Sequence, residues 1–221
     1  MRFGRLLAAC ALGSLFAAAG AAADRERVQI VEADQQLARA AVVRLADLGD
    51  PAGWSGGPTR PPPPAAFTCG TYEAKQSDLV LTGSAAANWR HAGLEFDSEA
   101  QVLRSAEMVR LDWLRTVTHP GVTACLRRKL GTGLPKGEKL VAFAPRALPK
   151  LAAYTAGFRG VIDVTQGGST VRVLVDIVVF GAGRVELSLI TTAPYAARSQ
   201  VGPAELRLAR IMLARAQPGA A

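Results

Sequence analysis

Few residues in this chain have the chemistry to form a reactive site. Gly53-Trp54-Ser55-Gly56-Gly57 satisfies the G-x-S-x-G spacing in which a serine is presented as a nucleophile, and His91 and His119, the two histidines of the sequence, would be its candidate bases. Such a serine needs a strand before it and a helix after it. Here a helical pattern precedes and prolines follow, so Ser55 is not expected to be catalytic and Trp54 reads as a packing anchor. Gly131-Thr132-Gly133-Leu134-Pro135-Lys136-Gly137 is glycine-rich and basic, yet it lacks the Gly-Lys-Ser/Thr ending of a phosphate cradle and follows a helix instead of opening one. No catalytic residue, metal site or cofactor is expected, since two His and three Cys leave little ligand material.

Charged residues on strands are the better candidates. Gly167-Gly168 reads as a two-residue hairpin turn and Gly181-Ala182-Gly183 as a three-residue one, giving three antiparallel strands between residues 154 and 192. The first turn sets Asp163 opposite Arg172 and Arg159 opposite Asp176, two pairs of opposite charge. The second sets Asp176 opposite Ser188. Arg159, Asp163, Arg172, Asp176, Glu186 and Ser188 would then share one polar sheet face and form the candidate ligand-binding set. His91, beside Trp89 and Arg90 at a strand end, is a further candidate. A face of alternating charges can also be simply solvated. The other face, with Phe158, Ile162, Val164, Val171, Val173, Val175, Ile177, Val179, Val185, Leu187 and Leu189, is apolar and is expected to meet the helices.

These strands need partners from the rest of the chain. Residues 24–48 contain neither Gly nor Pro, and Val28, Val31, Ala38, Val42 and Leu45 recur at helical spacing, so one long helix is expected, ended by Gly49 and Pro51. Residues 49–66, with Pro61 to Pro64 in a row, read as a stiff linker that joins no sheet ladder. Residues 79–84 and 94–102 read as strands, the second with Glu95, Asp97, Glu99 and Gln101 on a wet outer face. Ser105 can cap a helix running to Thr116 with Met108, Leu111 and Leu114 as its apolar contacts, and residues 120–130 form a second helix carrying Cys125. Residues 140–144 start the strand series and 202–215 close the chain as a helix. This order is α+β, a mostly antiparallel sheet packed on helices, and it does not fit a parallel nucleotide-binding sheet.

Composition supplies the compartment. The 221 residues, 49% hydrophobic and 20% charged, suffice for one domain, placed at 24–221 with the sheet and most helices in 67–221. Arg2 and Arg5, an apolar stretch to Gly20 and Ala21-Ala22-Ala23 read as a signal peptide over residues 1–23, so the mature protein is expected outside the cytosol. Leu7-Ala8-Ala9-Cys10 matches the local pattern for lipid attachment, but most of the apolar core lies after Cys10. Cys69 and Cys125 then remain as a pair in an oxidising compartment, where a disulfide is expected; closing that loop restrains the unfolded chain by about 4 kcal/mol in the entropy model. The net charge of +8 is carried mainly by arginine, and Arg127-Arg128-Lys129 with Arg207, Arg210 and Arg215 would suit peripheral contact with anionic envelope polymers or lipid headgroups. Export and an aromatic content of 6% argue against a nucleic-acid partner.

Gly53-Trp54 after a first helix, Thr82-Gly83-Ser84-Ala85 in an early strand, Cys125-Leu126 in a helix and consecutive long strands over residues 154–188 together resemble the PsbP-like fold. The arrangement is similar in particular to PknH-like extracellular sensor domains and related secreted or lipid-anchored bacterial envelope proteins. That resemblance implies a ligand held in a cleft and brings no catalytic signature; the chain departs from the sensors in having no kinase. The expected function is an exported, non-catalytic binding module, possessing sensor-like character, for an envelope component or small ligand. The alternative is a structural or assembly factor docking on another exported protein, with a hydrolase third.

Overall fold

The computed structural model describes residues 24–217, so the expected signal peptide at 1–23, with Cys10, lies outside the described residues. In chain order the elements are β1 (Arg27–Val28), α1 (Glu32–Ala41), β2 (Ser55–Thr59), β3 (Thr68–Cys69), β4 (Tyr72–Glu73), β5 (Val80–His91), β6 (Leu94–Leu103), α2 (Ala106–Arg115), α3 (Val122–Gly133), β7 (Glu138–Pro145), β8 (Tyr154–Gln166), β9 (Ser169–Ala182), β10 (Val185–Pro194) and α4 (Arg198–Ala216). The main sheet runs β1-β5-β6-β10-β9-β8-β7, with β2 on the outer edge of β5 and β3-β4 a separate hairpin. All of its pairings are antiparallel except β1 with β5. The fold is α+β.

The expected helix over residues 24–48 is broken into three pieces. Arg27 and Val28 pair with Val80 and Leu81, α1 ends at Ala41, and Leu45–Leu48 forms a 3-10 turn. Between the last two pieces the sheet captures the backbone: Val43 N–H donates to Ser98 Oγ at 3.1 Å, and Trp89 Nε1 donates to the Val43 carbonyl at 2.9 Å. Periodicity ran on through this stretch, but β-branched Val42 and Val43 hold a helix weakly and these long-range bonds outweigh their propensity.

The expected linker is also partly ordered into the sheet. Ser55 to Thr59 pair with Arg90 to Ala86, an edge position that tolerates Pro58. Gly56, at φ 120°, is required there, because a Cβ would sit 2.1 Å from the Asn88 carbonyl oxygen.

The β8–β9 hairpin has the expected register. Gly167 and Gly168 have φ of 58° and 80°, as a primed two-residue turn demands, and Arg159 pairs with Asp176 and Asp163 with Arg172. The β9–β10 turn does not have the expected form. It holds two residues, Gly183 and Arg184, so Ala182 pairs with Val185 and Asp176 faces Thr191 in place of Ser188. Gly181 belongs to the strand, where a Cβ would press within 3.3 Å of Val109 and 3.4 Å of Tyr154. Its glycine serves packing, not the turn. Side chains alternate with period two, so this odd shift exchanges the faces of β10.

Both faces of the sheet are therefore covered. On one, Val178, Phe180, Val185, Leu187 and Leu189 pack with Ala85, Ala87, Phe96 and Ala100 beneath α1 and α4, which contribute Ala38, Ala41, Leu208, Ala209 and Met212. Gly83 lets α1 approach, since a Cβ would lie 2.4 Å from the Asp34 carbonyl oxygen. On the other face, Phe158, Ile177 and Val179 meet Leu130 of α3 and Phe143 of β7. There α2 buries Val109 and Trp113; Leu114, an expected contact, is 48% exposed. Ser105 does cap α2, accepting the Met108 N–H at 3.2 Å.

Candidate ligand-binding site

The changed register divides the expected polar face. Arg159, Asp163, Arg172 and Asp176 stay on the α4 side, whereas Glu186 and Ser188 point to the α2 and α3 side. The two charge pairs then live in different surroundings. Arg172 and Asp163 make a bidentate pair at 2.7 and 2.9 Å near the hairpin tip, with the arginine side chain 49% exposed. Asp176 is fully buried and accepts from Arg159 at 2.7 and 2.6 Å and from Arg146 at 2.6 Å. Arg146 also binds Glu205 of α4. Burial and the Asp176 charge push the Glu205 carboxyl up to about 7 against the opposing pull of Arg146. Arg146 and Glu205 were not among the sequence candidates; one lies in a loop and the other on the last helix, and only the fold brings them to Asp176. This is an internal ionic lock and not a solvated face, although Glu205 Oε1 within it is buried without a hydrogen bond.

Glu186 and Ser188 instead form part of a cavity floor. Glu186 is the cross-strand neighbour of Gln101 and Ser188 that of Glu99, so four polar side chains form a square on β6 and β10. Asp112 and Trp113 of α2 with Thr116 just beyond its end supply one wall, Phe67 and Pro62 to Pro64 another, and Glu26 a fourth carboxyl. The cavity is half open to solvent and has a volume of about 300 Å³. Buried Gln76 ties the walls together, accepting from the Phe67 N–H at 2.9 Å and donating to Asp112 at 3.3 Å. The alternating acids of β6, expected on a wet surface, are in part roofed by the proline segment. Their spacing was visible in the sequence; the roof was not.

The electrostatics of this cavity differ from those of the lock. Burial, reinforced by Asp112 and Glu99, pushes the Glu26 carboxyl up to about 7. Burial also raises Glu99, against a hydrogen bond from Gln101 at 2.8 Å. Glu186 is raised well above its ordinary value, first by burial and then by Asp112 and Glu26. Asp112 is raised too, chiefly by burial, so the neighbouring Glu186 and Asp112 carboxyls disfavour a second charge between them. The other Glu186 oxygen, Oε1, is buried and receives no hydrogen bond.

The remaining candidates lie elsewhere. His91 is exposed and stands against Trp54 with ring centroids 5.3 Å apart, Trp54 in turn stacking on Phe96 at 5.7 Å. Trp54 thus is the anchor expected, and Ser55 starts an edge strand with no elbow around it. Cys69 on β3 and Cys125 on α3 are brought together, but as thiols, so the expected disulfide is not formed in this structure. Each bonds the other's segment: Cys125 Sγ donates to the Thr68 carbonyl at 3.3 Å and Cys69 Sγ to that of Gly121 at 4.0 Å. Burial and the neighbouring sulfur push the Cys125 thiol up to about 11. At least three of the six basic residues expected on free helix surfaces are engaged, Arg215 gripping the Asp47 carboxylate at 2.7 and 2.5 Å, Arg207 donating to the Asp47 carbonyl and Lys129 standing over the Phe67 ring at 5.4 Å. Among the described residues no His, Cys, Asp and Glu cluster could hold a metal ion, and no helix is long and apolar enough to cross a membrane.

No protein-family model matches the chain, and no curated protein does. Among solved structures, one titled "Crystal structure of LpqN involved in cell envelope biogenesis of Mycobacterium tuberculosis" is similar at 12% identity, over 76% of this chain and 94% of that one, with a TM-score of 0.32. A likeness at that level carries no argument about role, and the resemblance to PsbP-like and PknH-like domains rests on the sequence motifs alone.

Proposed function

We propose that this protein is an exported, non-catalytic binding module of the cell envelope that holds a small ligand in the cavity between β6, β10 and α2. The observation carrying this reading is the meeting of aromatic walls with a floor of convergent polar groups, one of which, Glu186 Oε1, is buried without a partner. A role docking on another exported protein has less behind it: the large exposed apolar side chains are spread over residues 28–31, α2, β7 and β9. The test is to export the protein, desalt it, and identify by mass spectrometry what it retains, alongside Ser188→Phe, which fills the cavity. The same small molecule recovered repeatedly from the parent and absent from the variant supports the reading. Equal recovery from both, or none from either, sinks it.

A further inference from the structure

The composition of the cavity identifies the chemistry of its occupant. Its lining includes Glu26, Glu99, Asp112 and Glu186 and contains no Lys, Arg or His, in a chain whose net charge is +8, although Lys129 of α3 stands over the ring of the Phe67 wall, 5.4 Å from its centroid. Elsewhere most buried or half-buried acids are answered by arginine, Asp34 by Arg184, Asp47 by Arg215, Asp78 by Arg115 and Asp176 by Arg159 and Arg146, while Asp97 of β6 is held by the Asn88 amide instead. Arg115 is the cation that acts on Asp112, and its guanidinium is already held by Asp78 at 2.7 and 3.0 Å. The cavity thus departs from the rule that most of this molecule follows. Glu186 adds a second and independent sign, an acceptor oxygen removed from water and given no donor. Such an oxygen is costly to bury unless something donates to it.

We propose that the cavity takes an organic cation, a primary or secondary amine on an aromatic or apolar body, with the ammonium placed between Glu186 and Glu99 and the body against Trp113 and Phe67. This rests on reading the cavity as a ligand site and adds the class of ligand. An ammonium supplies the donors the floor lacks, and an aromatic wall attracts the same charge through its ring face. A bare metal ion fits less well, because the described carboxyls do not converge as a metal-binding group. The raised carboxyls of the lining, Glu26 at about 7 among them, keep protons near neutral pH, so an arriving cation displaces protons.

The experiment is calorimetric titration of the purified protein at pH 7 with benzylamine, benzyl alcohol and benzoate, each in phosphate and in Tris buffer. Benzylamine is expected to bind at least about tenfold more tightly than benzyl alcohol, because it adds charge-assisted hydrogen bonds, and benzoate not to bind. Heats for benzylamine should differ between the buffers in the sense of proton release. Glu186→Gln and, separately, Glu99→Gln should each weaken benzylamine about tenfold and benzyl alcohol by much less, since the amide keeps an acceptor oxygen but loses the charge, two variants guarding against one that folds poorly. Equal affinity for benzylamine and benzyl alcohol would overturn the cation assignment while leaving a ligand cavity in place. Absence of benzylamine binding, benzylamine binding indifferent to both variants, or its displacement by equimolar calcium chloride would each overturn it as well. The retention experiment with Ser188→Phe decides the underlying ligand reading independently.

Discussion

The two faces of the sheet solve the burial of charge in opposite ways. Under α1 and α4, Asp176 is surrounded by two arginines and joined to Glu205 across a dry core. Under α2 and the proline segment, four carboxyls line a cavity with no basic side chain among them. A carboxylate taken out of water needs either a fixed counter-charge or a proton. The first face answers Asp176 with arginine and ties loop, strand and helix together, although Glu205 within it is itself raised to about 7. The second leaves its carboxyls raised, with no basic side chain in the lining. The same sheet therefore carries an arginine-paired face and one whose acids have no such pairing, and β10 contributes to both because its alternate residues point to opposite sides.

The contrast can be attacked from its strongest point downward. Asp176→Ala removes the partner of half-buried Arg159 and one of the two partners of Arg146, and urea unfolding is expected to show a loss of about 3 kcal/mol. A loss below about 1 kcal/mol would mean that the lock is replaceable by solvent. On the other side, mild oxidation is expected to join Cys69 to Cys125, clamping the β3–β4 hairpin, next to the cavity wall, onto α3. The stability gained should be about 4 kcal/mol on the entropy model and should vanish in Cys125→Ser. Two free thiols persisting in the denatured, unreduced protein after oxidation would remove this clamp.

The next effect concerns pH. Carboxyls whose folded value is raised contribute stability that is full below their ordinary range, near 4.5, and is lost as pH rises through their folded value, about 7 for Glu26 and Glu205. Asp34, Asp47 and Asp78 are lowered in the folded protein, Asp34 and Asp78 chiefly by their arginines and Asp47 by Arg215 and Arg44 against burial; they act in the opposite sense and give up stability in acid, below about 4. Thermal midpoints should therefore fall between pH 5 and 8. Glu186→Gln should flatten that fall and raise Tm at pH 8 by roughly 2–4 °C, the equivalent of about 1 kcal/mol in a domain of this size. An unchanged slope would place the proton uptake elsewhere. Smallest of all, Arg172→Ala removes an exposed pair and is expected to shift stability by less than about 1 kcal/mol in the same urea assay that reports on Asp176. A loss as large as that of Asp176→Ala would erase the distinction between hairpin tip and core.

Parts of this structure were legible in the residues. Gly167 and Gly168 both sit at positive φ, which admits one tight turn, and the pairing of Arg159 with Asp176 and Asp163 with Arg172 follows directly. The cap at Ser105, the anchoring role of Trp54 and the meeting of Cys69 with Cys125 were local or composition-driven in the same way. The alternating acids of β6 were legible too, though not their roof.

What the chain determines by itself is the class of fold, the strand sequence and the first hairpin, because backbone sterics at paired glycines and period-two patterning act over a few residues. Tertiary structure decided the second hairpin, the break in the expected first helix and the site. Gly181 could serve equally as a turn residue or as a gap, and the choice fell to Val109 and Tyr154, far away in sequence. That choice moved Glu186 and Ser188 to the opposite face and set them beside Asp112 and Glu99, since burial, unlike turn geometry, is settled only by what packs on top.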